Sequence, residues 1–402
     1  VLIGVYPFFI SGQLENSLVR WMILVLAGST LVDYFFLGKY RVLLTANQEG
    51  YVVALIQAAG TIVNMVVSIF LIYIGAGVLF VKAVATGVYM LRLVLVKIYA
   101  KRKYPALDFY AEPNEGALKQ KNAALLHQVV GIIVNNTDTT VLTICLGAKS
   151  LLEVSVYGIY MMVVNAVNQL MTSFSNGLTA GFGEVIAKNE EETLKKSYSS
   201  YEYMYFVIMF IVIACMGVLI LPFVGVYTIN LTDVQYVRPV LGILFTLIVF
   251  MQNVRIPGLT IICAAGHYKE TRYQAILEAV INITVSLGLV WKFGMAGVLL
   301  GTVCSYGYRS FEIVFYTSRH LVKGCAKKSM FRILRNVFTV AILCTVGTYV
   351  IPQEITSFTT WFLYAIGMGL TSVFFVVVIN YVVEPDEFMQ LRHRVNDIIK
   401  KE

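Results

Sequence analysis

The chain has 402 residues, of which 58% are hydrophobic and 13% charged, with a mean hydropathy of +0.76. A water-soluble fold of this length needs more polar surface than that composition supplies. The formal net charge of +8 lies in loops on one side of the apolar runs, which is a topological pattern and not a nucleic-acid footprint. The cysteines show neither CxxC nor metal-ligand spacing, and the histidines form no cluster. No metal and no cofactor is expected. There is no phosphate-binding loop, GxSxG or HExxH, so no catalytic residue is assigned and the chain does not read as an enzyme.

Val1–Ile10 reads as the end of an apolar span whose start is expected to lie upstream of Val1. After a short polar loop, full spans are predicted near 18–38, 50–72, 77–97, 122–146, 153–178, 201–225, 238–263, 273–292, 295–316, 333–351 and 360–381. Each is about as long as a helix needs to cross a bilayer. Scattered Gly and the lack of period-two alternation favour helices over a β-barrel. Between the third and fourth full spans lies the longest polar interval, rich in Lys and Arg and carrying Pro105 and Pro113. It reads as a cytosolic linker. The charged tail 382–402 reads as a cytosolic amphipathic helix, with Phe388, Leu391, Val395 and Ile398 on one face.

Lys and Arg set the orientation. With the linker cytosolic, alternation places the loops near 39–49, 179–200, 264–272 and 317–332 on the same side, and these hold nearly all the cations. The opposite side has only Arg20, Lys149, Arg238 and Lys292. Trp21, Trp291 and Trp361 fall at the external ends, where indoles favour the interface.

Two stretches look like copies. The segment from Leu43 aligns with that from Ile261, matching Asn64 to Asn282 and Val67-Ser68 to Val285-Ser286. Further on, Gly75–Leu79 aligns with Met295–Leu299. Both copies run from cytosol to outside, so the repeat is parallel, as in halves related by an axis along the membrane normal. The predicted fold class is an all-α integral membrane protein built as two six-helix lobes related by this pseudo-repeat, with two extra C-terminal helices; eleven full spans and a stub are present in this chain. The expected organisation is an incomplete N-terminal lobe (1–97), the linker (98–121), a C-terminal lobe (122–319), two additional helices (333–381) and the tail.

Charges inside spans are costly and are read first as functional. They are Asp33, Lys82, Arg92, Asp138, Arg255, Glu278, Arg309 and Glu312. Arg92, Glu278, Arg309 and Glu312 lie within two or three turns of cytosolic ends, from which long side chains reach water; Arg309 and Glu312 are spaced to pair. Arg255 is deep, beside Pro257 and Gly258, where a kink or hinge is expected. Its partner is either a substrate anion or a buried carboxylate such as Asp138. Asp138 itself sits in the polar run of Asn135, Asn136, Thr137, Thr139 and Thr140, which has to face a cavity or another helix. Asn165, Asn168, Gln169, Thr172 and Asn176 form a second polar stripe, for which hydrogen bonding between helices is the alternative reading. The predicted cavity residues are therefore Arg255, Asp138, Asn135, Asn136, Lys82, Asn165 and Gln169.

The turn Ala264-Ala265-Gly266-His267-Tyr268-Lys269-Glu270-Thr271, then Glu278-Ala279-Val280-Ile281-Asn282 with Ser286, resembles Wzx-type oligosaccharide flippases; so do Thr45–Tyr51 and the polar run through Asp138. The same motifs suit the wider superfamily of MATE-like exporters. The resemblance implies two six-helix lobes around a central cavity. It also implies translocation of an undecaprenyl-diphosphate-linked oligosaccharide from the cytosolic to the outer leaflet of the cell membrane, for polysaccharide export by alternating access. Expected partners are that lipid-linked substrate, membrane lipids and a coupling ion, proton or sodium; nucleic acid is not among them. The alternatives are a cation-coupled multidrug exporter of the same superfamily and a membrane glycosyltransferase or polymerase.

Overall fold

Long apolar runs in lipid have to satisfy their own backbone groups, and a helix does so within one segment. The structure, a computed structural model, describes residues 16–32, 35, 38–47, 49–105, 107, 120–147, 150–175, 178–352 and 354–390. Among them are α-helices and no strand. The stub Val1–Ile10, Asp33, Gln48, most of the linker, Lys149, Asn176, and Leu391, Val395 and Ile398 of the tail lie outside the described residues. Among the described residues, eight helical stretches, Pro239–Ala264 counted as one, are long and apolar enough to cross a membrane, and the protein is read as multi-pass on that ground.

The chain divides into two compact units between Ala117 and Leu118. The first holds α1 (Asn16–Val32), α2 (Gly38–Ala46), α3 (Gly50–Tyr73) and α4 (Val78–Lys103). Gly75, at φ +79°, supplies the left-handed turn that reverses α3 into α4. A small core of Tyr40, Leu44, Val96 and Ala100 joins α2 to the end of α4. There Glu49 accepts from Lys103 Nζ at 2.5 Å and from the Tyr104 hydroxyl at 3.0 Å.

The second unit holds α5 (Lys121–Cys145), α6 (Ser150–Ser175), α7 (Leu178–Ala187), α8 (Glu191–Tyr227), α9 (Pro239–Val254), α10 (Ile256–Ala264), α11 (Arg272–Phe293), α12 (Met295–His320), α13 (Ala326–Val350) and α14 (Phe358–Val383). α8 has 37 residues, roughly 55 Å of helix against about 30 Å of hydrocarbon. The apolar span predicted at 201–225 is thus extended by a charged first segment with Glu191 and Glu192 in its opening turn, where carboxylates suit the helix dipole. Tyr205, Phe206 and Phe210 of α8 are fully buried in the core, and α13 and α14 both pack on this helix. α5 and α12 are as long as the spanning helices but are not among the eight apolar ones. They carry the polar residues that build the site below.

α11 and α12 form a hairpin turned by Gly294 at φ +58°. Their seam is lined by small residues one turn apart, Gly297, Gly301 and Ser305, the pattern that lets membrane helices approach closely. Ser286 donates to the Val298 carbonyl at 3.2 Å and Asn282 to the Thr302 hydroxyl at 3.0 Å. A Cβ on Gly301 would lie 2.7 Å from the Ser286 backbone nitrogen and 3.0 Å from the Asn282 carbonyl, neither of which can rotate away. Gly301→Ala is therefore expected to cost about 1–3 kcal/mol through overpacking, read as a lowered thermal midpoint in detergent. Gly307→Ala, whose Cβ meets nothing within 4 Å, should not lower it. Equal midpoints for the two variants would contradict this close seam.

Candidate functional site

Pro257 has no backbone N–H to continue the helix. α9 ends at Val254, α10 begins at Ile256, and Arg255 is the residue between them. The Arg255 N–H turns to the Asn253 carbonyl. Ser310 of α12 donates to the Met251 carbonyl at 2.6 Å, replacing the backbone donor that this carbonyl loses at the break. Gly258 serves close packing: a Cβ there would come within 2.9 Å of Thr317 Oγ1 on α12.

The break projects Arg255 onto α11 and α12. Its Nη1 donates to Glu278, and its guanidinium stacks 4.4 Å from the ring centre of Tyr306. Glu278 also faces Arg309 Nε at 3.5 Å, and Arg309 pairs in turn with Glu312. Two arginines and two carboxylates thus alternate across three segments, with Arg309 only 3% exposed. This corrects the expectation that Glu278 and Arg309 reach water from the helix ends, since both are buried; Arg309 and Glu312 pair as their spacing suggests. In this structure the carboxylate beside Arg255 is Glu278 and not Asp138.

Asp138 belongs to an adjoining hydrogen-bonded layer. Its carboxylate accepts from Thr302 at 2.7 Å and from Tyr157 at 3.4 Å, and Asn282 donates to Thr302. Tyr306 ties the two layers together, since its hydroxyl donates to Asn135 Oδ1 at 3.0 Å while its face carries Arg255. A cavity of about 250 Å³ opens beside them, lined by Asn135, Arg255, Glu278, Tyr306 and Arg309 together with His127. His127 bonds the Tyr268 carbonyl at 2.9 Å and so fixes the α10–α11 turn against α5. In that turn, burial pushes the Tyr268 hydroxyl up to about 12.

Of the predicted residues, Arg255 and Asn135 line this cavity and Asp138 stands one hydrogen-bonded layer from it. Asn136 does not: it is exposed and bonds back to the Ile132 carbonyl of its own helix. Asn165 and Gln169 are exposed on α6 and outside the cavity lining. The working residue of that stripe is Asn168, bridged to Gln252 at 2.8 Å and to Asn253 at 2.9 Å, with Tyr205 donating to Asn253. That is the hydrogen-bonding alternative. Lys82 lies in the first unit, exposed on α4.

A second buried network has no counterpart among the sequence-based candidates. Arg332 of α13, 1% exposed, donates through Nη1 to Glu202 of α8 at 3.0 Å and through Nε to both oxygens of Glu384 at 3.1 Å. Lys328 joins through Glu387 at 2.6 Å, and Arg335 through Glu384 at 3.1 Å. Phe388, expected on the apolar face of the tail, packs its ring 5.1 Å from that of Tyr381. The chain after α14 is thereby fastened to α8 and α13.

Neither a family model nor a curated protein matches the chain.

Proposed function

We propose that the protein is a flippase, carrying an undecaprenyl-diphosphate-linked oligosaccharide across the cell membrane from the cytosolic to the outer leaflet by alternating access. The reading carries with it two six-helix lobes around a central cavity, with α13 and α14 as additions to the second. The observation that supports it best is the Arg255–Glu278–Arg309–Glu312 array beside a 250 Å³ cavity at a helix break. Ionisable side chains this deep in a membrane protein mark a polar pathway more often than a structural need. Arginine forks match diphosphate oxygens, and the neighbouring amides and hydroxyls of Asn135 and Tyr306 suit sugars. Exchangeable carboxylate partners would let an arginine take up and release an anion without ever standing uncompensated in lipid.

The test is reconstitution of the protein in vesicles with a fluorescent polyprenyl-diphosphate-linked oligosaccharide, following the label's passage between leaflets. Protein-dependent translocation is expected. Export of a cationic dye with no lipid movement would favour the multidrug-exporter reading, and elongation or transfer of the sugar the transferase reading. Either result with folded protein would overturn the proposal.

A further inference from the structure

Arg92 of α4 lies across α3 in the first unit. Its Nη1 donates to the Gln57 carbonyl at 3.3 Å and the Thr61 hydroxyl at 3.2 Å, its guanidinium sits 5.1 Å from the Tyr89 ring centre, and its Nε is buried with no acceptor. All these partners are neutral, and no ion pair joins Arg92 to a carboxylate among the described residues. The side chain fits there because Gly60 has no Cβ: one added to it would stand 2.8 Å from Arg92 Nε and closer to its methylene carbons.

The internal repeat makes this arrangement informative. The register that sets Asn64 against Asn282 sets Gly60 against Glu278. In both hairpins an arginine of the second helix reaches back onto that position. Arg309 finds a carboxylate there; Arg92 finds a glycine. A cation inside a span is costly unless it is compensated or reaches water. A cavity of about 40 Å³ lies alongside, lined by Arg41, Gln57, Tyr89 and Arg92 and, among the described residues, by no carboxylate. By the ~10–15 Å³ that one water occupies on the same measure, it admits a small oxyanion and no sugar. Arg92 is roughly 16 Å along the helix from the basic end at Lys103.

We propose that Arg92, seated over Gly60, is the cationic element of an oxyanion site in the first unit, which takes phosphoryl oxygens of a phosphate or diphosphate group. The Nε edge is closed off against Gly60, so the terminal nitrogens are the ones that can meet a ligand, and a planar guanidinium presented by that end suits phosphoryl oxygens. The choice of a prenyl diphosphate as one probe rests on the flippase reading; the site itself does not.

The test is calorimetric titration of the purified full-length chain in detergent micelles with inorganic diphosphate and, separately, farnesyl diphosphate. Binding of at least one is expected, weakened tenfold or more in Arg92→Gln and in Gly60→Ala, which keeps the charge but evicts the side chain. Arg92→Lys should fall between these and the parent. Binding of farnesyl diphosphate alone assigns the anion to a lipid headgroup; comparable binding of both assigns a general phosphate site. Each variant is first checked for a single species and an unchanged thermal midpoint; if one misfolds, the other carries the test. Absence of binding by either probe, or equal affinities in the parent and a folded variant, would overturn the site. Arg92-dependent binding without lipid translocation in vesicles would overturn the flippase reading alone.

Discussion

Arg332→Ala is expected to lower the stability of the second unit by about 3–5 kcal/mol, the usual cost of removing one partner from a buried ion pair. Arg332 divides its donors between Glu202 at 3.0 Å, both oxygens of Glu384 at 3.1 Å, and the Ser199 carbonyl at 3.0 Å. Without it, Glu202, 2% exposed, keeps only the hydroxyls of Ser329 and Tyr198. Arg332→Lys should recover less than half of the loss, because one ammonium cannot reach three acceptors held by a planar fork. Thermal unfolding in detergent measures both. Lys327→Ala, an exposed cation on the same helix, should stay within about 0.5 kcal/mol of the parent. The clasp also has a pH signature. Burial alone would raise the Glu387 carboxyl, but Lys328, Ser199 and Arg332 together hold it below its ordinary 4.5. A carboxyl lowered on folding contributes stability above its unfolded pKa and loses it as pH falls through the folded value. Acidification below about 4.5 should therefore release the tail, and Lys328→Ala should move that release to higher pH. A midpoint unchanged in Arg332→Ala would mean that the clasp contributes nothing.

The helices and their order are legible in the sequence because each apolar run ends at a turn whose chemistry is local: Gly75 and Gly294 at positive φ, and Pro257 at the break. Which charges meet is not. Glu278 and Arg309 look like side chains near helix ends when counted along the chain, yet rotation of α11 and α12 about their axes points them at each other and at Arg255. Asn165 and Asn168 share one polar stripe, but only Asn168 is turned towards α9. Glu202 stands at the edge of a predicted span, and nothing local signals an arginine 130 residues later. Hydropathy reports depth; pairing depends on helix rotation and tertiary contact, which a linear pattern does not encode.

Glu278→Gln should damage the cavity more than Arg255→Ala does. Glu278 is the shared acceptor of the array: it faces Arg255 on one side and Arg309 on the other. Neutralising it leaves Arg309 its pair with Glu312 but strands Arg255, which has no second carboxylate among its contacts. In Arg255→Ala, by contrast, Glu278 keeps Arg309. The expected loss for Glu278→Gln is about 3–5 kcal/mol, seen as poor yield and a lowered midpoint, and for Arg255→Ala clearly less. The double variant Arg255→Met with Glu278→Gln leaves no stranded charge at this pair and should regain most of the fold, because the cost of breaking a buried pair lies mainly in the charge left unpaired. Asp138→Asn should rescue neither single variant, since Asp138 is held by Thr302 and Tyr157 and not by Arg255. Lipid translocation then separates scaffold from function. If Arg255 engages the diphosphate, the refolded double variant stays inactive and Arg255→Lys keeps part of the activity, because the charge survives without the fork. A well-folded double variant that transports at the parent rate would reduce the array to a structural ion pair and remove the main support for the flippase reading.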